Sequence, residues 1–383
     1  MKETKERIWL SSPHMGGKEQ DFVNEAFASN WVAPLGPNVN GFEFDIEEYL
    51  ESTKKVACLA SGTSAIHLGL IELGVTHGDE VICQSFTFSA SANPILYQGA
   101  KPIFVDSELS TWNICPKALE EAIKDRINKG KKPKAIVAVH LYGMPYLVDE
   151  IHAIATHYDI PVLEDSAEAL GSTYKGKKCG TFGDYGVLSF NGNKIITTSS
   201  GGALVCKNNE AKQKAVFLAT QARDDAPHYQ HSHIGYNYRM SNIVAGIGRG
   251  QMLVLDKHIG FRREMKFFYD RIFASIEGVE VFSEPTSDYY SNHWLSCITI
   301  DPKKAKGKSR EGLRLSLLEE NIESRPLWKP MHLQPIFEKE AYYGKDNVAE
   351  KLFEIGLCLP SGSNLTDDDR QRIETSILSY FKH

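Results

Sequence analysis

One lysine and one aspartate carry the chemistry open to this chain. Lys194 lies in the run Ser-Phe-Asn-Gly-Asn-Lys-Ile-Ile-Thr-Thr-Ser-Ser-Gly-Gly, residues 189–202, between two apolar, strand-like stretches. Asp165 follows a third such stretch, residues 160–163, in Glu-Asp-Ser-Ala-Glu-Ala-Leu-Gly, residues 164–171. The two stand 29 positions apart, too far for a local pair, so a sheet must bring them together. A lysine amine can form a Schiff base with an aldehyde, and a carboxylate can keep a pyridine nitrogen protonated. These are the two groups that a pyridoxal 5′-phosphate (PLP) site needs. An anion beside the ring favours its charged form, and the charged ring is the better electron sink. Each residue has an ordinary alternative: a solvated surface lysine for Lys194, and for Asp165 the cap of a helix after the strand. It is the pair that points to the cofactor.

Other residues fit the same ligand. Gly62-Thr63-Ser64 at a strand-to-helix turn can cradle a phosphate, because backbone N–H groups and hydroxyls meet there at the positive end of a helix. Ser189, five residues before Lys194, can aim its hydroxyl at the same phosphate. Phe88 lies just past a strand end and can stack on a flat ring, although an aromatic residue there also suits core packing.

The elements that must position these groups alternate in type. From about residue 55 to 206, short apolar runs alternate with amphipathic helical segments, which predicts a mostly parallel sheet covered by helices. Polar groups follow the strands: Ser61–Ser64, Ser85–Phe88, Asp106, His140 and Asp165. In open α/β sheets the ligand sits beyond the carboxyl ends of the strands, so all five groups are expected to converge on one cleft. A single long helix is expected over 241–273, handing the chain to a smaller domain. The expected division is a large domain with an N-terminal arm, 1–255, and a small α+β domain, 256–383. The latter holds a strand at 294–300, a helix around 310–320 and a closing helix at 367–381.

Composition narrows the function classes. The 383 residues are 42% hydrophobic and 24% charged, as in a globular protein, with no internal repeat. A net charge of −6 gives no footprint for nucleic acid or for an anionic membrane surface. The seven cysteines are scattered and never in Cys-x-x-Cys spacing, which suits free thiols in a reducing compartment and no metal site. No apolar stretch approaches the ~20 residues of a spanning helix, so a soluble, cytoplasmic protein is expected.

Five motifs then occur in order: Ser-Gly-Thr-Ser-Ala-Ile-His-Leu, Glu-Asp-Ser-Ala-Glu-Ala-Leu-Gly, Gly-Thr-Phe-Gly-Asp-Tyr-Gly, Ser-Phe-Asn-Gly-Asn-Lys and Gly-Tyr-Asn-Tyr-Arg-Met-Ser-Asn. Over nearly the whole chain, from about residue 9 to 378, the sequence resembles the DegT-type sugar aminotransferases, fold-type I PLP enzymes acting on nucleotide-linked keto sugars. Trp-Val-Ala-Pro-Leu-Gly (31–36), Asn-Gly-Asn-Lys-Ile-Ile-Thr-Thr, and Glu-Ser-Arg-Pro-Leu-Trp-Lys-Pro-Met-His (323–332) resemble one branch in particular. That branch aminates C-4 of UDP-linked 4-keto-6-deoxy-N-acetylglucosamine, as in bacillosamine-type pathways.

The resemblance implies roles for individual residues. Lys194 bonds the cofactor, Asp165 pairs with its pyridine nitrogen, and Gly62, Thr63, Ser64 and Ser189 hold its phosphate. Phe88 covers one ring face and Ala167 the other. Asn237 reaches the phosphate of a neighbouring subunit, so a homodimer with shared active sites is expected. L-glutamate is the expected amino donor, with pyridoxamine phosphate as the intermediate form of the cofactor. Many relatives carry Gln or His where this chain has Glu168, beside the cofactor's 3-oxygen. A carboxylate there must share a proton, so a raised pKa is expected. Arg239, Arg325, Lys329 and His332 are the substrate candidates, because arginine can clamp a diphosphate. His293-Trp294 fits core packing equally well. The rivals are C-3 amination on the same scaffold and a non-catalytic regulator. A dehydratase would carry histidine in place of Lys194.

Overall fold

The computed structural model describes residues 5–382. Its first half runs β1 (Lys55–Leu59), α3 (Gly62–Glu72), β2 (Glu80–Gln84), α4 (Ser89–Tyr97), β3 (Lys101–Val105), α5 (Pro116–Asn128), β4 (Ala135–Val139), α6 (Val148–His157) and β5 (Val162–Asp165), preceded by α1 (Glu19–Ala28) and α2 (Pro37–Leu50). Alternate side chains of each strand enter opposite clusters. Val81, Cys83, Phe104 and Val137 pack with α3 and α4. Ile82, Ile103, Ile136 and Ala138 pack with α5 and α6. A strand of period two with apolar residues at every position is buried on both faces, which is why these runs read as continuously hydrophobic.

The central sheet has eight strands in the order β1, Gly202–Cys206, Tyr185–Ser189, β5, β4, β2, β3, Ala341–Tyr343. From Tyr185–Ser189 to Ala341–Tyr343 every pairing is parallel. Gly202–Cys206 runs antiparallel to both its neighbours. The fold is the expected α/β, mostly parallel architecture of fold-type I PLP enzymes.

Beyond residue 255 a second, antiparallel sheet forms from Val279–Val281, Ser296–Ile300, Gly356–Leu359 and Arg325–Pro326. Helices Leu255–Phe273, Arg310–Glu319 and Asp367–Lys382 pack on it through Phe268, Tyr269, Leu313 and Ile377. Two expectations need adjustment here. The helix expected over 241–273 is two helices, Asn242–Met252 and Leu255–Phe273, because Val254 leaves helical geometry (φ −121°, ψ 6°). The first of them packs against α1 and α2, where a Cβ on Gly248 would meet the Phe42 ring at 2.5 Å. The chain after 255 also returns to the first sheet, since Ala341–Tyr343 adds an edge strand beside β3.

All seven cysteines are free, and all but Cys115 are buried. Among the described residues no helix is long and apolar enough to cross a membrane.

Candidate active site

A cavity of about 220 Å³ opens at the carboxyl ends of β1, β4, β5 and Tyr185–Ser189. At one end lies the start of α3. Ser61 is extended (φ −165°, ψ 162°), and its hydroxyl accepts the Ser64 N–H at 3.0 Å. Gly62 and Thr63 follow on the cavity wall with Ser189, Ser200 and Gly201. The first N–H groups of a helix have no partner inside it, and the helix dipole makes that end positive, so an anion is stabilised here. The backbones are pressed together at this point. A Cβ on Gly202 would lie 2.3 Å from the Gly62 nitrogen and 2.3 Å from the Ser61 carbonyl carbon. Glycine is required there so that the strand can hold the helix start in place.

Asp165 stands at the end of β5 and is only 4% exposed. Its Oδ1 accepts the Ala167 N–H at 3.1 Å and its Oδ2 accepts the Ser91 hydroxyl at 2.6 Å. Ser91 in turn shares a 2.8 Å hydrogen bond with Thr87. A turn follows the strand, not a helix, so the carboxylate is not a helix cap. It is an anion fixed from two sides.

Lys194 follows a turn after Tyr185–Ser189, its N–H bonded to the Asn191 carbonyl at 3.0 Å. Its Nζ lies 3.3 Å from Glu168 Oε1 and 4.2 Å from the centroid of the Trp294 ring. Glu168 also accepts the Tyr142 N–H at 2.7 Å. Burial pushes its carboxyl up to about 7, against the opposing pull of Lys194 and of that N–H, while the Asp165 charge adds to the rise. A carboxyl of this kind shares its proton near neutral pH. Phe88, Asn193, Trp294 and Trp328 line both this cavity and an adjoining cleft of about 490 Å³ that carries Glu323, Arg325 and Lys329.

The family model for the DegT/DnrJ/EryC1/StrS aminotransferases matches residues 13–378. The chain belongs to that family. It is 50% identical to EpsN of Bacillus subtilis (strain 168), assigned by name to the pyridoxal phosphate-dependent aminotransferases, over 98% of this chain and 96% of the relative. It is 37% identical to the GDP-perosamine synthase of Escherichia coli O157:H7, over 98% of each. The crystal structure of the aminotransferase TlmJ from Streptoalloteichus hindustanus superposes with a TM-score of 0.88 at 28% identity, covering 98% of this chain and 99% of that one. The protein is a PLP-dependent sugar aminotransferase.

The aminotransferase's own residues fit that cofactor. The start of α3 and Ser189 suit a phosphate, the fixed Asp165 suits a ring nitrogen, and the Lys194 amine projects into the space between. Gly62, Thr63, Phe88, Asp165, Ala167, Glu168, Ser189 and Lys194 all line the cavity. Ser64 sits one layer behind, with its hydroxyl 2.8 Å from that of Ser61. Asn237 is exposed, bridged to Thr220, and outside the cavity of its own chain.

Several residues stand elsewhere than expected. Arg239 donates to the Glu43 carboxylate and to the Cys58 carbonyl, so it ties α2 to β1 and does not reach the cavity. His332 is held between Ser85 (2.6 Å) and Glu350 (3.1 Å) and stacked on Tyr342, also outside it. Arg325 and Lys329 reach the adjoining cleft, Arg325 paired with Glu323 at 2.8 Å. Of the five strand ends expected to converge, Asp106 and His140 do not. Asp106 accepts the N–H groups of Val348 and Ala349. His140 Nε2 lies 2.7 Å from Glu164 Oε1, and Glu164 also accepts the N–H groups of Phe182 and Gly183. Cys179 lies with this buried pair, whose other polar contacts include the Tyr146 N–H donated to His140 Nδ1 at 3.2 Å and the Ser166 hydroxyl donated to Glu164 Oε1 at 3.2 Å.

Sequence reasoning missed Ser91 and Asn193; it held Thr87 only within the Ser85–Phe88 strand end, left Trp294 equally suited to core packing, and took the cations around Trp328 as the substrate candidates. Ser91 had a signal, being four residues after Thr87 in the first turn of α4. Trp328 had none beyond its place among cations and prolines, because a distant segment brings it in.

Proposed function

We propose that the aminotransferase moves an amino group from L-glutamate to C-4 of a UDP-linked 4-keto-6-deoxy-N-acetylhexosamine, for aminosugar and glycan biosynthesis. The observation that carries this reading is the continuity of two spaces. The cavity that holds the Lys194 amine opens past Phe88, Trp294 and Trp328 into a cleft bearing Arg325 and Lys329. Aromatic faces suit the apolar face of a deoxy sugar, and cations farther out suit a diphosphate. The motif at 323–332 supports the UDP and C-4 assignment by resemblance.

PLP, when bound, supplies the electron sink that makes the C–H bond beside the nitrogen acidic. The chain does the rest. The α3 N-terminus and Ser189 hold an anion, and Asp165 holds a positive charge at the far end of the cavity. Lys194, whose amine lies in the cavity, would take a proton from one carbon and return it to another as general base and acid. Glu168 exchanges its own proton near neutral pH and so can balance the charge on Lys194. Asn237 reaches into the site of a second copy in the homodimer that this reading requires. A GDP-linked keto sugar is the second reading, favoured by the likeness to a GDP-perosamine synthase.

The test is a visible spectrum of the PLP-loaded protein. A band near ~410–430 nm should bleach with L-glutamate and return with UDP-4-keto-6-deoxy-N-acetylglucosamine. Return only with a GDP-linked 4-keto sugar selects the second reading. Return with 3-keto substrates alone rejects C-4.

A further inference from the structure

Trp294 is held more firmly than packing requires. Its backbone N–H donates to Asn292 Oδ1 at 2.8 Å, and its indole N–H donates to the Asn193 carbonyl at 2.6 Å. Its carbonyl accepts from the guanidinium of Arg262. Arg262 is fully buried, and the partners it finds are oxygens of this same neighbourhood: Trp294 O, Ser11 Oγ at 2.9 Å and the Lys194 carbonyl at 3.4 Å. Trp294 and Lys194 are therefore joined three ways, through the Asn193 carbonyl, through Arg262, and through the amine over the ring.

We propose that Trp294 is a positioning residue of transamination: its indole face seats the Lys194 ammonium whenever the amine carries no bond to the cofactor. Its indole N–H fixes the turn from which the lysine projects. The charged groups around the amine are Glu168 at 3.3 Å, Asp165 on the same cavity wall, and Arg262 behind the lysine's carbonyl. Glu168, pushed up to about 7 by burial, is only partly ionised at neutral pH, so its hold on the ammonium is incomplete. A ring face attracts a cation through its quadrupole without the directionality of a hydrogen bond. The amine is thus kept in the cavity yet free to swing between the atoms whose protons it moves.

The test uses the full chain loaded with pyridoxamine phosphate, in which Lys194 is unbonded. Acylation of Lys194 by an N-hydroxysuccinimide ester, read by peptide mass spectrometry, reports how often the amine is neutral and off its seat. Trp294→Leu should speed this reaction about three- to tenfold at neutral pH, with acylation of the exposed Lys329 unchanged as an internal standard. Trp294→Phe, which keeps a ring, should fall between. If the leucine variant fails to fold, tryptophans of increasing fluorination at position 294 keep the shape and the N–H while draining the ring face. Rates should then climb with each fluorine. A flat response across that series, or a leucine variant matching the wild type, would overturn the proposal. A wild-type PLP band absent from Lys194→Ala checks the lysine assignment separately.

Discussion

Glu168 stabilises the folded chain only while it is protonated. Burial raises its carboxyl from an ordinary 4.5 to about 7. The folded state therefore binds the proton more tightly, and this contribution is complete below about pH 4.5 and lost as pH rises through 7. Glu168→Gln removes that slope. Relative to wild type, the cofactor-free variant should gain about 3 kcal/mol between pH 4.5 and 8 in urea unfolding. An offset that is equal at both pH values would refute the assignment. Ser91→Ala removes the hydroxyl that Asp165 accepts at 2.6 Å. A hydrogen bond to a charged group is worth roughly 1.5–3 kcal/mol, so PLP should dissociate about ten- to a hundredfold more readily, as followed by absorbance. Of the residues that sequence alone pointed to, Asp165 closes strand β5 and Lys194 follows the turn after Tyr185–Ser189, places where a side chain can face the cleft. Arg239 and His332 were expected to face a ligand, whereas Glu43 and Glu350 hold them.

At the level of elements, the site depends on how closely Gly202–Cys206 approaches the start of α3. A methyl group at Gly202 would overlap the Gly62 nitrogen. Gly202→Ala should cost about 1–3 kcal/mol in thermal unfolding and weaken PLP binding, because the helix start must shift away from the phosphate position. Full stability with unchanged affinity would show that the helix start can give way. The helices and strands of residues 55–206 were legible because two-sided burial writes unbroken apolar runs and amphipathic helices write a longer period. The break at Leu253–Val254 was not legible. No proline or glycine marks it, and it arises from the separate packing of Asn242–Met252 against α1 and α2 and of Leu255–Phe273 against the second sheet.

For the whole molecule, the proposed shared sites predict complementation. A chain with Lys194→Ala mixed after dissociation with one carrying Asn237→Ala should regain about a quarter of wild-type activity. Half of the re-formed dimers are then hybrids, each with one intact site. No recovery, with hybrids confirmed by native mass spectrometry, would place Asn237 outside the partner's site. By itself the sequence determined the class of chemistry, the cofactor and the α/β architecture. Those depend on residue types at strand ends and on local periodicity, which are written over short stretches. Tertiary structure alone decided which groups share the cavity. Trp294 and Trp328 come from segments a hundred residues or more beyond Lys194, Ala341–Tyr343 crosses back to the first sheet, and His140 turns away to Glu164. Contacts between such distant segments follow from how side chains fill space once the sheets are formed, and no local pattern encodes that.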